Sequence, residues 1–205
     1  MKFSSALRKF IPLLVAGMLC GYLSAKAKSF PYQNPFSGRG LQSRSTDSIQ
    51  IRKSVYGFLQ WYKTNIKKAN GFGMIDYDTK GFAFVKLQAC QDYLSFIKSS
   101  KQVSTKYIGY WRKYFEDEAQ KIKKDKLTKD DVPEGFDFDF VLITQEPEIV
   151  LDSLKNLQFK LVSLNSKAAV MEISLPGNEY IKYEFEMQRT ANGWVIDYIS
   201  TANFD

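Results

Sequence analysis

The sequence predicts an α+β domain in which three N-terminal helices pack on a curved four-stranded antiparallel meander, a cone-like arrangement. Two observations lead to this prediction. Four short runs of alternating apolar and polar residues fill the last third of the chain, and apolar residues recur at helical spacing before them. A third observation, the complete absence of histidine, limits the chemistry that such a domain can perform.

The four C-terminal runs have the period of two that is typical of strands with one buried face. They are separated by residues that favour tight turns: Asn165-Ser166, Pro176-Gly177-Asn178 and Asn192-Gly193. Connections this short leave no room for a crossover, so neighbouring strands must be antiparallel. The residues predicted to face the core are Leu157, Phe159, Leu161, Ala169, Met171, Ile173, Leu175, Ile181, Tyr183, Phe185, Met187, Trp194, Ile196 and Tyr198. Asp197 has the opposite parity and is predicted to point outward.

Helical periodicity predicts three helices before the sheet. The first is capped by Asp47 or Ser48 and runs to about Lys68. Its apolar face consists of Ile51, Val55, Phe58, Leu59, Tyr62 and Ile66. The second runs from about Phe84 to Ser99, with Leu87, Cys90, Leu94 and either Phe96 or Ile97 inward.

Ser104 is predicted to cap the third helix, which runs from Thr105 to about Lys124. Its inward residues are Ile108, Trp111, Phe115 and Ile122, and its polar face includes Glu116, Glu118 and Gln120. The stretch from Gly71 to Gly81 is predicted to be a loop. Residues Gly135 to Gln145, if extended, place Phe136, Phe138, Phe140 and Leu142 on one side and Asp137 and Asp139 on the other. A short helix at Glu148–Asn156 follows, with Pro147 at or before its start.

The N-terminal residues predict export. Lys2, Arg8 and Lys9 precede an apolar stretch, and Ala25-Lys26-Ala27 offers small residues for signal peptidase. We therefore expect a signal peptide at residues 1–27, a flexible linker at 28–47 and a single domain at 48–205, located in the periplasm or secreted after cleavage near Ala27. The alternative is a membrane tether by lipidation at Cys20, disfavoured because a small residue should precede that cysteine and Leu19 stands there.

Composition excludes several classes of function. Residues 1–27 carry four of the basic side chains and no acidic one, so the remainder has 25 basic and 22 acidic side chains and a net charge of only +3. That balance does not suit a nucleic-acid binder. Without histidine, Ser-His-Asp and Cys-His catalysis and histidine-ligated metals are excluded. Cys90, the one cysteine after the signal, is predicted to be a small buried hydrophobe. We expect no metal, cofactor or disulfide.

The chain resembles the exported bacterial domain-of-unknown-function family numbered 3828, within the nuclear-transport-factor-2-like (cystatin-like) superfold. The resemblance rests on residues 55–62 (VYGFLQWY), 93–100 (YLSFIKSS), Val103-Ser104, Tyr107-Ile108, Asp137 or Asp139 with Gln145, and 193–199 (GWVIDYI). It implies the helix-then-meander order and carries no activity, cofactor or catalytic residue. One departure is Phe140, which stands where such domains often have a proline.

In this superfold, helix and sheet enclose a cone that can hold a small apolar ligand, and the candidate site residues follow from that. They are Trp61, Tyr62, Asp137, Asp139, Gln145, Tyr183, Phe185 and Trp194, with Tyr198 as a further wall residue. Two plainer interpretations stand beside this one. The aromatic residues can simply fill the core, and Asp137 and Asp139 can be two solvated carboxylates.

The predicted function is therefore non-catalytic binding of a small apolar molecule or a peptide in a cone pocket. The alternative is a protein–protein interaction module of the inhibitor or immunity type, which uses a surface instead of a cavity. The third hypothesis is an isomerase- or hydrolase-like enzyme based on Asp and Tyr, a pairing that needs no histidine. An open pocket with an inward carboxylate would favour a ligand, and a solid core with an exposed apolar patch would favour a partner protein.

Overall fold

A computed structural model describes residues 39–131 and 133–201 of the 205. The predicted signal peptide, the lipidation site at Cys20, the cleavage position near Ala27 and the first part of the predicted linker lie outside the described residues. Within the described ranges, no helix is both long and apolar enough to cross a membrane.

The described residues form four α-helices. They are α1 (Arg39–Ala69), α2 (Leu87–Lys98), α3 (Thr105–Asp125) and α4 (Pro147–Asp152), and short 3-10 turns at Asn70–Phe72 and Leu154–Asn156 follow α1 and α4. The predicted cap of α3 is confirmed, because the Ser104 hydroxyl oxygen accepts the Tyr107 backbone N–H at 3.1 Å. Pro147 is the first residue of α4, where its missing N–H leaves no helical hydrogen bond unmade.

The predicted meander is confirmed. Strands β3 (Gln158–Leu164), β4 (Ala168–Leu175), β5 (Asn178–Thr190) and β6 (Gly193–Thr201) pair in chain order, each antiparallel to the next. Gly177 and Gly193 adopt φ values of 82° and 117° at the last two turns, a region open to glycine without steric cost. The described residues are thus α+β, and all of their helices precede the main sheet. The cone-like arrangement remains a prediction.

A β-bulge in β6 changes which residues face the core. Glu186 pairs with Tyr198, and the next residue of β5, Met187, pairs with Ile196, so Asp197 is the extra residue. After this extra residue the alternation is shifted by one, so Ile199 faces the core. The prediction that Tyr198 faces the core is therefore wrong. Asp197 is also not outward as predicted. It is only 9% exposed, and one of its carboxylate oxygens lies 3.7 Å from the Lys106 ammonium.

The predicted loop at Gly71–Gly81 contains a strand instead. Strand β1 (Ile75–Tyr77) pairs antiparallel with β2 (Ala83–Val85), and Phe84 lies opposite Asp76. As a consequence α2 begins at Leu87 and not at Phe84, and Leu87 is exposed where an inward position was predicted. Strands of three residues are too short to show a period, which is why the sequence pattern did not separate them from loop and helix.

The apolar face predicted for α1 packs against the main sheet. Ile51, Val55, Phe58, Leu59 and Tyr62 are buried, and α1 contacts β3, β4 and β6. The inward residues predicted for α3 are buried as well, and Cys90 in α2 is a buried free thiol, as predicted. Glu118 was placed on the polar face of α3, but it is buried and its carboxylate lies 2.7 Å from the Lys121 ammonium.

Helix α1 begins at Arg39, so the predicted linker does not extend over residues 39–47, and Asp47 is not a cap. Asp47 is only 6% exposed. Its carboxylate accepts a hydrogen bond from the Arg189 guanidinium in β5 and another, at 3.4 Å, from the Trp194 indole N–H in β6. A cap assignment uses only neighbours in sequence, whereas these partners come from the far end of the chain.

This ion pair should couple α1 to the sheet more strongly than a surface pair does. We expect D47N and R189Q each to lower the free energy of unfolding by about 1–3 kcal/mol, because each leaves a polar partner incompletely satisfied. In a double-mutant cycle measured by urea unfolding, the double variant should lose clearly less free energy of unfolding than the two single variants lose together. The exposed Lys113–Asp117 pair (2.8 Å) is the control, with an expected coupling of about 0.3–0.5 kcal/mol. Equal coupling energies in the two cycles would contradict the claim that the Asp47–Arg189 pair is stronger than a surface ion pair.

Candidate functional site

An open cleft of about 520 Å³ lies between the end of α1, the start of β1 and the segment that leads into α4. It brings together four of the predicted site residues: Tyr62, Asp137, Asp139 and Gln145. The other lining residues are Ala69, Asn70, Gly73, Met74, Ile75, Tyr93, Phe136, Phe138, Phe140, Pro147 and Glu148. The sequence predicted a pocket in a cone between helix and sheet, whereas these four residues meet in a cleft at the end of α1.

Gly135 fixes the start of the segment that forms one wall. Its φ of 85° favours glycine, and a Cβ atom there would lie 2.8 Å from the Tyr114 hydroxyl oxygen, so a larger residue would displace that side chain. The same Tyr114 hydroxyl donates a hydrogen bond to the Gly135 carbonyl oxygen at 3.0 Å. The segment is thereby held against α3 at the point where it enters the cleft.

The Gly135–Gln145 segment is a compact turn, so the expectation of an extended run is wrong. Phe136 stacks on Phe115 of α3 with ring centroids 5.8 Å apart, and Phe140 meets the same ring edge-on at 4.9 Å. Val141 and Leu142 are both fully buried next to each other in sequence. Consecutive residues of a strand point to opposite faces, so the burial of both shows that the segment is not a strand with one buried face. Asp139, which was expected on the polar side, is only partly exposed.

Asp139 holds this turn together. Its Oδ1 accepts the backbone N–H of Val141 at 3.0 Å and of Leu142 at 2.7 Å. Two backbone bonds close the turn, from the Ile143 N–H to the Asp139 carbonyl (2.7 Å) and from the Asp139 N–H to the Thr144 carbonyl (2.8 Å). Ile143 has a φ of 51°, a conformation that costs a β-branched residue about 1–3 kcal/mol. The carboxylate therefore stabilises a strained wall of the cleft.

The remaining oxygen of Asp139 connects the turn to α1. The buried Tyr62 hydroxyl donates a hydrogen bond to Asp139 Oδ2. From the sequence, Tyr62 on the first helix and Asp139 after Gly135 are separate candidate site residues. The structure joins them in one interaction that the sequence did not indicate.

Burial controls the electrostatics of this pair. Desolvation raises the pKa of the Asp139 carboxyl, and the hydrogen bonds from Tyr62 and the two backbone N–H groups oppose that rise. Desolvation, and then the negative charge of Asp139, raise the pKa of Tyr62. The same two causes raise the pKa of Tyr183 to about 12. These phenols therefore stay protonated at neutral pH, and Tyr62 remains a hydrogen-bond donor.

The charged side chains that line the cleft are all acidic: Asp137, Asp139 and Glu148. Gln145 donates a hydrogen bond from Nε2 to Asp137 Oδ2 at 3.2 Å. Asp137 is exposed while Asp139 is only partly so, and the interpretation of two solvated carboxylates fits only the first. Across the described ranges, no group of three or more Cys, Asp or Glu side chains is placed to hold a metal ion.

The other four predicted site residues lie elsewhere. Trp61 stacks on Phe58 and contacts Phe96, with ring centroids 6.2 and 5.2 Å away. Tyr183 and Phe185 are 2% and 0% exposed, so they fill the core as the plainer interpretation had it. Trp194 is buried beside Asp47. Tyr93 and Glu148 were missed as lining residues, and no local pattern in the sequence distinguishes them from other helix residues.

In comparisons with protein-family models, curated proteins and solved structures, nothing matches this chain. The resemblance to the exported family and its superfold remains a prediction.

Loss of the Tyr62 hydroxyl should destabilise the protein in a pH-dependent way. In Y62F the ionised Asp139 loses a donor, and we expect a cost of about 1.5–3 kcal/mol, as for hydrogen bonds to charged groups. A carboxyl whose folded pKa lies above its unfolded pKa favours folding most when protonated, so stability falls as pH rises through the folded pKa. Removing the Tyr62 hydrogen bond raises that pKa further. The deficit should therefore be smaller at pH 4 than at pH 8 in urea unfolding.

The control for this prediction is Y198F. The Tyr198 hydroxyl makes a long hydrogen bond of 3.4 Å to Tyr110 in an exposed setting, so its loss should change stability little at either pH. A Y62F deficit that does not change with pH would show that the hydroxyl does not interact with an ionised Asp139.

Proposed function

We propose that the protein is a non-catalytic binding module that takes a small organic molecule in the cleft lined by Tyr62 and Asp139. The observation that carries this proposal is the cleft itself. Its volume of about 520 Å³ falls in the range of about 300–1,000 Å³ that is usual for small-molecule sites. Its lining combines aromatic rings with a few polar groups, the mixture that such sites use for affinity and orientation.

The surroundings of Asp139 favour binding over catalysis. Both of its carboxylate oxygens already accept hydrogen bonds, two from backbone N–H groups and one from Tyr62. A general base needs a lone pair directed at the proton that it removes. Because its hydrogen bonds close the Asp139–Thr144 turn, this carboxylate acts as a structural support for the cleft wall.

Packing favours this cleft over a pocket between helix and sheet. Tyr183 and Phe185, which were expected to line a cone, are buried in the core and do not line the cleft. The ligand would instead bind at the C-terminal end of α1, between the Gly135–Gln145 segment and β1. It would reach the aromatic side chains Phe136, Phe138 and Phe140 from the solvent side.

Export is the second part of the proposal. The basic start, the apolar stretch and the small residues before Lys28 support a signal peptide, and they support a periplasmic or secreted location after cleavage near Ala27. Cys90 is the one cysteine after residues 1–27, so that part of the chain cannot form an internal disulfide. A protein without a disulfide can function inside or outside the cell, so cysteine content does not support the export proposal.

A thermal-shift screen of the purified protein against a library of small metabolites tests the binding function. We expect at least one compound to raise the melting temperature in a concentration-dependent way, because a ligand that binds only the folded state stabilises it. Q145W should remove the response by filling the cleft. E146W is the matched control, because Glu146 is the next residue, is exposed and does not line the cleft. No hit, or a response that Q145W leaves unchanged, would exclude this cleft and favour the protein-partner alternative.

A further inference from the structure

The geometry points to an organic cation, an amine attached to an apolar or aromatic body, as the class of ligand that this cleft accepts. This inference rests on the proposed function, because it assumes that the cleft binds a small molecule. It goes further by assigning the charge of that molecule from the side chains that would surround it.

The charge of the cleft is opposite to that of the chain. The sequence has 29 basic and 22 acidic side chains, yet the residues that line the cleft include three carboxylates and no lysine or arginine. Lys86 lies near the rim, with its ammonium 3.9 Å from the position of a Cβ at Gly73, and it already pairs with Asp76 at 3.5 Å. An anionic ligand would thus meet only like charges in the lining.

Two of the three carboxylates are free to receive a ligand. Asp137 accepts one hydrogen bond, from Gln145, on a single oxygen. Among the described residues, no donor reaches the Glu148 carboxylate, and no basic side chain forms an ion pair with Asp137 or Glu148. Both side chains are exposed, so water solvates their charges in the free protein and they carry little desolvation penalty.

The aromatic part of the lining supplies the second requirement for an organic cation. The rings of Phe136, Phe138 and Phe140 line the cleft together with those of Tyr62 and Tyr93. The face of an aromatic ring attracts a cation, and the ring surface also covers an apolar body. A metal ion would need several converging ligands, and among the described residues no group of three or more Cys, Asp or Glu side chains is placed to hold one.

The Asp139 turn supports the same assignment. Glu148 and Asp139 are close enough for the charge of Glu148 to raise the pKa of the Asp139 carboxyl, which burial raises first. Both residues line the cleft, so in the free protein their like charges lie in the same site. A bound cation would relieve the repulsion between them, so part of its affinity comes from the arrangement of the empty site.

A matched set of three probes tests the inference: 2-phenylethylamine, the neutral 2-phenylethanol and the anionic 3-phenylpropionate. They share an aromatic body and differ in charge at the end of a short chain. Calorimetric titration at millimolar concentration and low salt should show the amine bound at least tenfold more tightly than the other two. Added salt should lower the affinity for the amine and leave the affinity for the alcohol unchanged, because salt screens only the ion pair.

The variant D137N/E148Q should weaken amine binding at least tenfold while the fold is retained, since both residues are exposed. The matched control is D130N/E146Q, which removes two exposed carboxylates outside the cleft and should change the affinity less than twofold. Q145W should abolish binding of every probe that enters the cleft.

The outcomes separate the two proposals. Equal binding of amine and alcohol that Q145W abolishes would overturn the cation assignment and leave the binding function standing. The same holds if the screen yields only neutral or anionic hits that Q145W removes. If the amine does not bind while cleft-dependent hits of other charge exist, the cation class is wrong. If neither probes nor library produce a response that Q145W removes, both proposals fail.

Discussion

The main constraint on this structure is that one face of the four-stranded sheet is apolar and must be kept from water. Helix α1 meets that requirement, with Ile51, Val55 and Phe58 buried and with contacts to β3, β4 and β6. The ion pair between Asp47 and Arg189 ties the helix to the hairpin at the far end of the sheet. Once α1 is placed in this way, its C-terminal end, with Tyr62, is directed to where the Gly135–Gln145 segment passes.

The hydrogen bond from Tyr62 to Asp139 connects this packed helix to the wall of the cleft. It joins the helix that covers the sheet to a turn in which Ile143 is strained. The aromatic side chains of the segment pack on α3, and its acidic side chains are left beside the cleft. The partly exposed carboxylate of Asp139 thus has two effects: it stabilises the wall of the cleft, and it contributes negative charge to the cleft.

Regular periodicity explains which parts of the fold could be predicted. The four strands, their order, the Ser104 cap and the buried face of α1 all follow from patterns within a few residues. The errors arise where a distant partner or a local irregularity decides. Asp197 is one extra residue in β6 that reverses the parity of Tyr198 and Ile199, and Phe84 belongs to a strand too short to show a period. Four of the eight candidate site residues line the cleft, but the sequence did not indicate which residues each of them would contact.

The sequence by itself determined the α+β class, the antiparallel meander and the exclusion of histidine chemistry. These depend on residue identity and on short-range spacing, because the periods of helix and strand appear directly as the spacing of apolar residues. Only the tertiary structure decided where the cavity lies and which charges surround it. Tyr62 and Asp139 are 77 positions apart, and Asp47 and Arg189 are 142 apart. Burial of a polar group depends on everything that packs around it, so the partners of these carboxylates appear only when the chain is folded.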